Sequence, residues 1–412
     1  MKIYLVGGAV RDKLLGLDVT ERDYVVVGAT PQMMLDQGFE QVGKAFPVFL
    51  HPKTREEYAL ARKEVKTEKG YHGFECDASP QVTLEEDLMR RDLTINAIAE
   101  DEDGTLIDPY HGIQDIEHKV LRHVSEAFIE DPVRLLRVGR FLARYEQLGF
   151  HVHPTTIDLM QRMVQAGEVD HLVPERVWKE MEKALSEKKP LAFIHTLNET
   201  QALKKLFPEL HRLYGVPQKA EYHPEIDTGV HIEMVLDVAS HLTDDKEVRF
   251  AALLHDLGKG LTPKEEWPSH RGHEARGVKP IKDLCERFKI PNAYRDLAVL
   301  VSRFHLHVHR AFELKPSTIV ELFENLDLFR KPKRLEKVLL ACQADYQGRR
   351  GFTQRPYPQA DYLRKAYEAA LSVSAKEVIQ GKEYPGDVIK EKVHQARVGV
   401  VKQFVNAQKK PQ

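Results

Sequence analysis

Along the first third of the chain, apolar residues alternate with polar ones or run in short blocks bounded by turn residues, at Lys2–Val6, Asp23–Val27 and residues 58–61. A period of two marks strands, and with the short helical stretches between them it predicts an α/β region, a small mixed sheet with flanking helices. From Pro132 onward the apolar spacing becomes helical, as in Val133, Leu136, Phe141 and Leu142, then Leu159 and Met163, then Val177, Met181 and Leu185. The remaining two thirds are therefore expected to be almost entirely α. Residues 63–80 are charged, carry Gly70 and Gly73 and have little apolar periodicity, so they read as a mobile loop. Clusters of Gly, Pro or charge at residues 188–190, 215–224 and 348–358 mark approximate domain edges. Four segments are expected: 1–140, 141–226, 227–350 and 351–412.

Composition narrows the class. The chain has 412 residues, 42% hydrophobic and 30% charged, enough to bury sizeable cores in more than one domain. Its first residues lack a signal-peptide layout and no apolar run approaches bilayer length, so a cytoplasmic protein that does not enter the membrane is expected. Three cysteines, Cys76, Cys285 and Cys342, form no C-x-x-C pair and support neither a disulfide framework nor a zinc ribbon. A net charge of -2 argues against coating nucleic acid by bulk electrostatics, so any RNA contact must come from a local patch. Many of the 20 histidines follow residue 220, which favours a metal site there.

Four pieces of the first 150 residues carry chemistry. Gly7-Gly8-Ala9-Val10-Arg11-Asp12 sets two glycines between a strand and a helix, where backbone N–H groups can approach a triphosphate beside Arg11. Glu21 and Asp23, two residues apart at the start of a strand, would point to one face and offer oxygen donors to Mg²⁺. Taken alone they would be an acidic turn. In Arg90-Arg91-Asp92-Leu93-Thr94-Ile95-Asn96-Ala97 the arginines can pair with phosphates, while Asp92 accepts from ribose hydroxyls or orients an arginine. Finally, Glu130-Asp131-Pro132 opens a helix bearing Arg134, Arg137, Arg140 and Arg144 on one side, a pattern usually explained as a solvated basic stripe.

In this order the four pieces resemble the class II tRNA nucleotidyltransferases, the CCA-adding enzymes, a family that includes bacterial poly(A) polymerases. The match covers roughly the first 180 residues, with residues 108–115 and 174–178 as further segments. The resemblance implies a polymerase-β-like head followed by an all-α neck and body, which bind tRNA and nucleotide. It also implies Mg²⁺-dependent transfer of CMP and AMP from CTP and ATP to a tRNA 3′ end. Gly8, Arg11, Arg91, Arg137 and Arg140 take the family's nucleotide-binding positions, and Asp131 and Arg134 the base-reading ones. One departure is Glu21, where the family usually has Asp.

A second constellation follows. His255-Asp256 sits in Leu253-Leu254-His255-Asp256-Leu257-Gly258-Lys259, with His231 upstream and His273, His305 and Asp345 downstream. Imidazole nitrogen and carboxylate oxygen suit one divalent centre. The order resembles the HD superfamily of metal-dependent phosphohydrolases over about residues 227–350, and 351–412 reads as a helical tail. His307 and His309 read as core or surface histidines. A bound metal would lower the pKa of water for hydrolysis of a phosphomonoester or cyclic phosphodiester. Head followed by HD module resembles the gammaproteobacterial members of the CCA-adding family. It implies phosphatase, 2′-nucleotidase and 2′,3′-cyclic phosphodiesterase activities, with Ni²⁺ favoured for the phosphatase.

Two alternatives stand beside this reading. A poly(A) polymerase would carry a basic Gly-Arg-Arg-Phe-Arg stretch where this chain has Val42-Gly43-Lys44-Ala45-Phe46-Pro47-Val48, which demotes it. A binding protein whose head has lost catalysis would have Glu21 as its mark. Monomer and homodimer both stay open.

Overall fold

The computed structural model describes residues 1–42, 48–66, 74–379 and 384–408. The residues of the Val42 to Val48 stretch that bear on the poly(A) polymerase alternative, 43–47, lie outside them. Two compact units make up the chain, Met1–Leu206 and Phe207–Gln412.

The first unit begins with a seven-stranded sheet, in the spatial order Glu40–Val42, Val48–Leu50, Glu57–Leu60, Asp23–Val27, Lys2–Val6, Ala99–Glu100, Leu106–Ile107. Asp23–Val27 and Glu57–Leu60 run parallel and the other neighbours antiparallel, so the sheet is mixed. Alternation along one strand serves two cores. Val25 packs with Tyr4, Val6, Leu88 and Ala99 on one face, and Val26 with Met34, Phe39, Phe49 and Leu60 on the other. The expected loop at 63–80 instead contains two antiparallel strands, Lys63–Lys66 and Phe74–Asp77; its residues 67–73 lie outside the described ones. The ribbon is held by backbone pairing, and its charged sequence carries no apolar alternation to announce it.

Beyond the sheet the unit is helical. The helix Val133–Tyr145 begins after Pro132, which stands at its N-cap rather than inside the first turn. It packs against Pro174–Ser186 and Pro190–Glu199. Gly139 permits the second approach, because a Cβ there would lie 3.1 Å from the Phe193 ring. Back towards the sheet, buried Asp12 accepts hydrogen bonds from Tyr145 Oη at 2.9 Å, Arg144 Nη2 at 3.3 Å and Arg11 Nε at 2.8 Å. One carboxylate thus ties the helix Gly8–Leu14 to the neck.

The second unit is a helical bundle in which Thr228–Leu242, Lys246–Leu254, Asn292–His309 and Arg334–Gln347 pack on one another. Asp227 caps the first, accepting from Val230 N at 3.0 Å and from Gly215 N at 2.6 Å. At Gly348 a Cβ would lie 2.7 Å from Val235 Cα, so glycine there lets the end of Arg334–Gln347 close on Thr228–Leu242. No helix among the described residues is long and apolar enough to cross a membrane.

Gly258 gives this packing a test. A Cβ at Gly258 would fall 1.9 Å from the His273 carbonyl oxygen, whereas at Gly399, inside the helix Gly386–Gln408, it would meet nothing within 4 Å. Gly258→Ala should destabilise the protein by about 1–3 kcal/mol through overpacking. Gly399→Ala should stabilise it by about 0.5–1 kcal/mol through helix propensity. Urea unfolding of the two variants measures both signs.

Candidate active sites

Pairing of Lys2–Val6 with Asp23–Val27 sets Val6 opposite Asp23, so the Gly7-Gly8 turn emerges beside that carboxylate. Gly7 has a φ of 68°, and a Cβ on it would lie 2.9 Å from Arg91 Nη1. Glycine here lets a guanidinium lie over the turn. A cavity of about 700 Å³ opens at this point. Its lining brings together Gly8, Arg11, Glu21, Asp23, Arg91, Asp131, Arg134, Arg137 and Arg140, every head residue singled out from the sequence. Among the described residues nine arginines and one lysine line it, against five carboxylates.

Such a concentration of like charge needs internal partners. Asp92 is buried and accepts from Arg137 Nε at 2.6 Å, Asn96 Nδ2 at 2.9 Å and Leu93 N at 2.8 Å. Asn96 Oδ1 in turn accepts from Arg11 Nη1 at 2.6 Å, linking arginines of two walls through one network. Burial opposes the Asp92 charge, but the Arg137 guanidinium and these hydrogen bonds hold its pKa well below the usual carboxylate range. Asp87, fully buried on the helix Leu84–Met89, accepts from Arg90 Nη2 at 2.9 Å and Arg91 Nη2 at 3.2 Å. Glu180 accepts from Arg140 Nε at 2.6 Å. Arg134 donates to the carbonyls of Ala127 at 2.7 Å and Arg90 at 2.5 Å. Arg11, Arg137 and Arg140 also lie within 5.4 Å of the Phe141 ring centroid.

Arg134 and Arg140 are 7% and 8% exposed, whereas Arg137 and Arg144 are part-buried, so the four do not form the solvated stripe that such spacing usually makes. One expectation changes here. Glu21 precedes the strand, which begins at Asp23, so strand alternation is not what relates the two carboxylates. They nonetheless line one cavity. Burial raises the Asp23 pKa, Arg91 opposes the rise and the Glu21 charge adds to it. Two oxygen donors whose charges repel where the cavity opens to solvent fit a hard divalent cation such as Mg²⁺.

In the second unit His231, His255, Asp256, His273, His305 and Asp345 are all buried and converge. Each histidine turns Nδ1 outward: His231 lies 2.8 Å from Glu225 Oε1, His255 2.7 Å from the Ala252 carbonyl, His273 2.9 Å from that of His270, and His305 2.9 Å from that of Ser302. The three carbonyl contacts select the tautomers of His255, His273 and His305, and all four rings turn Nε2 inward. His231 Nε2 lies 3.1 Å from Asp345 Oδ1 and 4.0 Å from Asp256 Oδ2, and His255 Nε2 lies 3.7 Å and 3.2 Å from the same atoms. His231, His255 and Asp345 can each offer a ligand atom within 4.8 Å of the others, and so can Asp256, His273 and His305, a donor set of imidazole nitrogen and carboxylate oxygen that suits a divalent metal. His273 and His305 approach the other Asp256 oxygen at 3.3 and 3.8 Å. His255 Nε2 and both Asp256 oxygens make no hydrogen bond of good geometry although buried, as ligand atoms would. A cavity of about 530 Å³ reaches the cluster, lined also by Lys259, His309 and Arg349.

Residues 3–122 match the family model of the poly A polymerase head domain, 149–214 that of the probable RNA and SrmB-binding site of polymerase A, and 228–346 that of the HD domain. The multifunctional CCA protein of Thioalkalivibrio sulfidiphilus is 61% identical over 404 residues, 98% of each chain. That of Nitrosococcus oceani is 57% identical, over 99% of this chain and 100% of its own. The chain belongs to the multifunctional CCA proteins. The solved Bacillus stearothermophilus CCA-adding enzyme in complex with CTP has a TM-score of 0.64 at 26% identity, covering 98% of this chain and 89% of its own. The Thermotoga maritima CCA-adding enzyme complexed with tRNA has a TM-score of 0.62 at 20% identity, over 99% and 92%, a likeness of fold.

Against this membership of the multifunctional CCA proteins, the sequence left several site residues unread. Asp87 and Glu180 lie in charged helical stretches, and nothing in their spacing tells a buried carboxylate from a solvated one. Lys259 stands three residues after Asp256 and places Nζ 2.6 Å from its Oδ2; the adjacent His-Asp pair was the available signal. His309, read as a core or surface histidine, instead lies with Nε2 2.6 Å from Asp345 Oδ2 and Nδ1 2.9 Å from the Tyr357 hydroxyl. Its spacing of four from His305 on one helix was its only mark. His307 packs its ring against Phe304.

Because the folded pKa of Asp92 is depressed, its contribution to stability is present above the ordinary value of 3.8 and is lost as pH falls towards its own. Asp92→Asn should cost about 1.5–3 kcal/mol at neutral pH, the worth of a hydrogen bond to a charged group. It should also flatten the fall in stability below about pH 4. Denaturant titrations of both proteins across that range measure the two effects.

Proposed function

We propose that the head adds and repairs the 3′-terminal CCA of tRNA from CTP and ATP without a nucleic-acid template, releasing pyrophosphate. The observation that carries the proposal is the cavity that collects Asp131 and Arg134 together with Glu21, Asp23 and the arginine wall. Mg²⁺ held by Glu21 and Asp23 would neutralise charge on the triphosphate. Arg11, Arg91, Arg137 and Arg140, fixed by their buried partners, bind the phosphates and orient the α-phosphate for attack by the tRNA 3′ hydroxyl. Asp131 accepts from, and Arg134 donates to, the Watson–Crick edge. Cytosine presents N4–H beside N3 and adenine N6–H beside N1, so one acceptor and one donor serve both. Uracil and guanine present the reverse order and leave polar groups unpaired, which a desolvated site rejects. The names of the 57% and 61% identical relatives support this reading, as does the CTP complex of the Bacillus enzyme.

The HD unit, in the same reading, hydrolyses phosphomonoesters and 2′,3′-cyclic phosphodiesters, with phosphatase and 2′-nucleotidase activity. His231, His255, Asp256 and Asp345, with His273 and His305 beside them, would hold a divalent metal, Ni²⁺ for the phosphatase, which supplies an activated water. Lys259 and Arg349 face the phosphate from the cavity wall. With tRNA as its substrate, the protein works in the cytoplasm.

Asp23→Ala should abolish CMP and AMP incorporation and leave phosphatase activity nearly intact; His255→Ala should do the reverse. Radiolabelled incorporation and phosphate release, measured on both folded variants, check the separation. CMP transfer retained by Asp23→Ala removes the assignment of that carboxylate.

A further inference from the structure

The acceptor that reads the base is itself held. Asp131 Oδ1 accepts from Arg176 Nη1 at 3.1 Å and from Val133 N at 3.2 Å, while Oδ2 accepts from Arg176 Nη2 at 2.7 Å. Arg176 stands in the first turn of the helix Pro174–Ser186 and, like Asp131, lines the nucleotide cavity. We propose that Arg176 is a positioning residue for nucleotide choice: its forked grip on Asp131 leaves Oδ2 one lone pair, fixed in direction, for the amino group of cytosine or adenine. The proposal rests on the reading of Asp131 as base acceptor.

The physical argument concerns rejection rather than binding. A carboxylate oxygen offers two lone-pair sites, and the two donors at Oδ1 occupy both of its own. Oδ2 has one donor and keeps the other site. The terminal torsion of an aspartate is soft, and a free carboxylate could turn aside or admit a bridging water when a keto oxygen arrives. Uracil or guanine would then escape most of the penalty for facing an acceptor with an acceptor. Two parallel N–H···O bonds fix the carboxylate plane, so the mismatch stays unrelieved. A lysine can supply the charge but not the fork.

The discriminating measurement is kcat/KM for single-nucleotide addition of CTP, ATP, UTP and GTP to a tRNA acceptor, by wild type, Arg176→Gln, Arg176→Lys and Asp131→Ala. Arg176→Gln should raise the UTP-to-CTP and GTP-to-ATP ratios by about tenfold or more. Arg176→Lys, which keeps the charge and the helix start, should give a smaller rise in the same direction. A role in tethering the helix alone would lower all four rates together and leave the ratios at wild-type values, which overturns the proposal. If Arg176→Gln does not fold, wild-type ratios in folded Arg176→Lys overturn it equally. Asp131→Ala separates the two layers. Wild-type ratios in that variant remove the base-acceptor reading itself, whereas relaxed ratios there beside strict ones in both Arg176 variants remove only the role of Arg176.

Discussion

Placing nine arginines around one cavity is possible only if their mutual repulsion is answered inside the protein, and the head answers it with buried carboxylates. Asp12, Asp87, Asp92 and Glu180 each spend their hydrogen-bonding capacity on a guanidinium. Removing one such acid would leave a desolvated cation without its partner, an outcome that costs several kcal/mol in comparable sites. Because ten cationic side chains face five carboxylates among the described residues that line it, the cavity keeps an excess of positive charge. In the function proposed, a triphosphate would meet donors already oriented, and little reorganisation would be required when it binds.

The HD unit applies the same rule with the signs exchanged. There the demanding feature is a set of imidazole nitrogens and carboxylate oxygens brought to one place, and backbone carbonyls do most of the holding. Ala252, His270 and Ser302 each take an imidazole Nδ1, and Glu225 lies against the fourth. A helix C-terminus presents unpaired carbonyls, which is why His255, the C-cap of Lys246–Leu254, finds a partner in Ala252 three residues back. Asp345 is shared, with Oδ1 towards His231 and Oδ2 towards His309. In both units function follows from second partners that orient the first.

What could be read in the sequence was whatever the chemistry requires locally. Two glycines before Arg11, the Asp131-Pro132 helix start with arginines at three and four, and the adjacent His255-Asp256 are short-range patterns with a mechanical reason, and the structure gathers the head residues in one cavity and the HD residues in one cluster. The strands Lys2–Val6 and Asp23–Val27 were legible because alternation reports two buried faces. The ribbon Lys63–Lys66 with Phe74–Asp77 was not, since backbone pairing leaves no such trace in a charged segment. Partners distant in sequence were equally silent: Glu180 for Arg140, Arg176 for Asp131 and Tyr357 for His309 are separated by 40, 45 and 48 positions. Only the fold says which carboxylate is buried against which guanidinium.

The central claim is that side chains in the head cavity replace a template and admit only the two bases whose edge offers a donor beside a ring acceptor. It is tested most directly by giving the purified protein, with Mg²⁺, a tRNA that lacks its 3′-terminal CCA and all four nucleoside triphosphates, then sequencing the extended ends. The account predicts addition that stops at cytidine, cytidine, adenosine, without uridine or guanosine. Failure to extend, or ends carrying uridine or guanosine at a frequency comparable to cytidine, would contradict it.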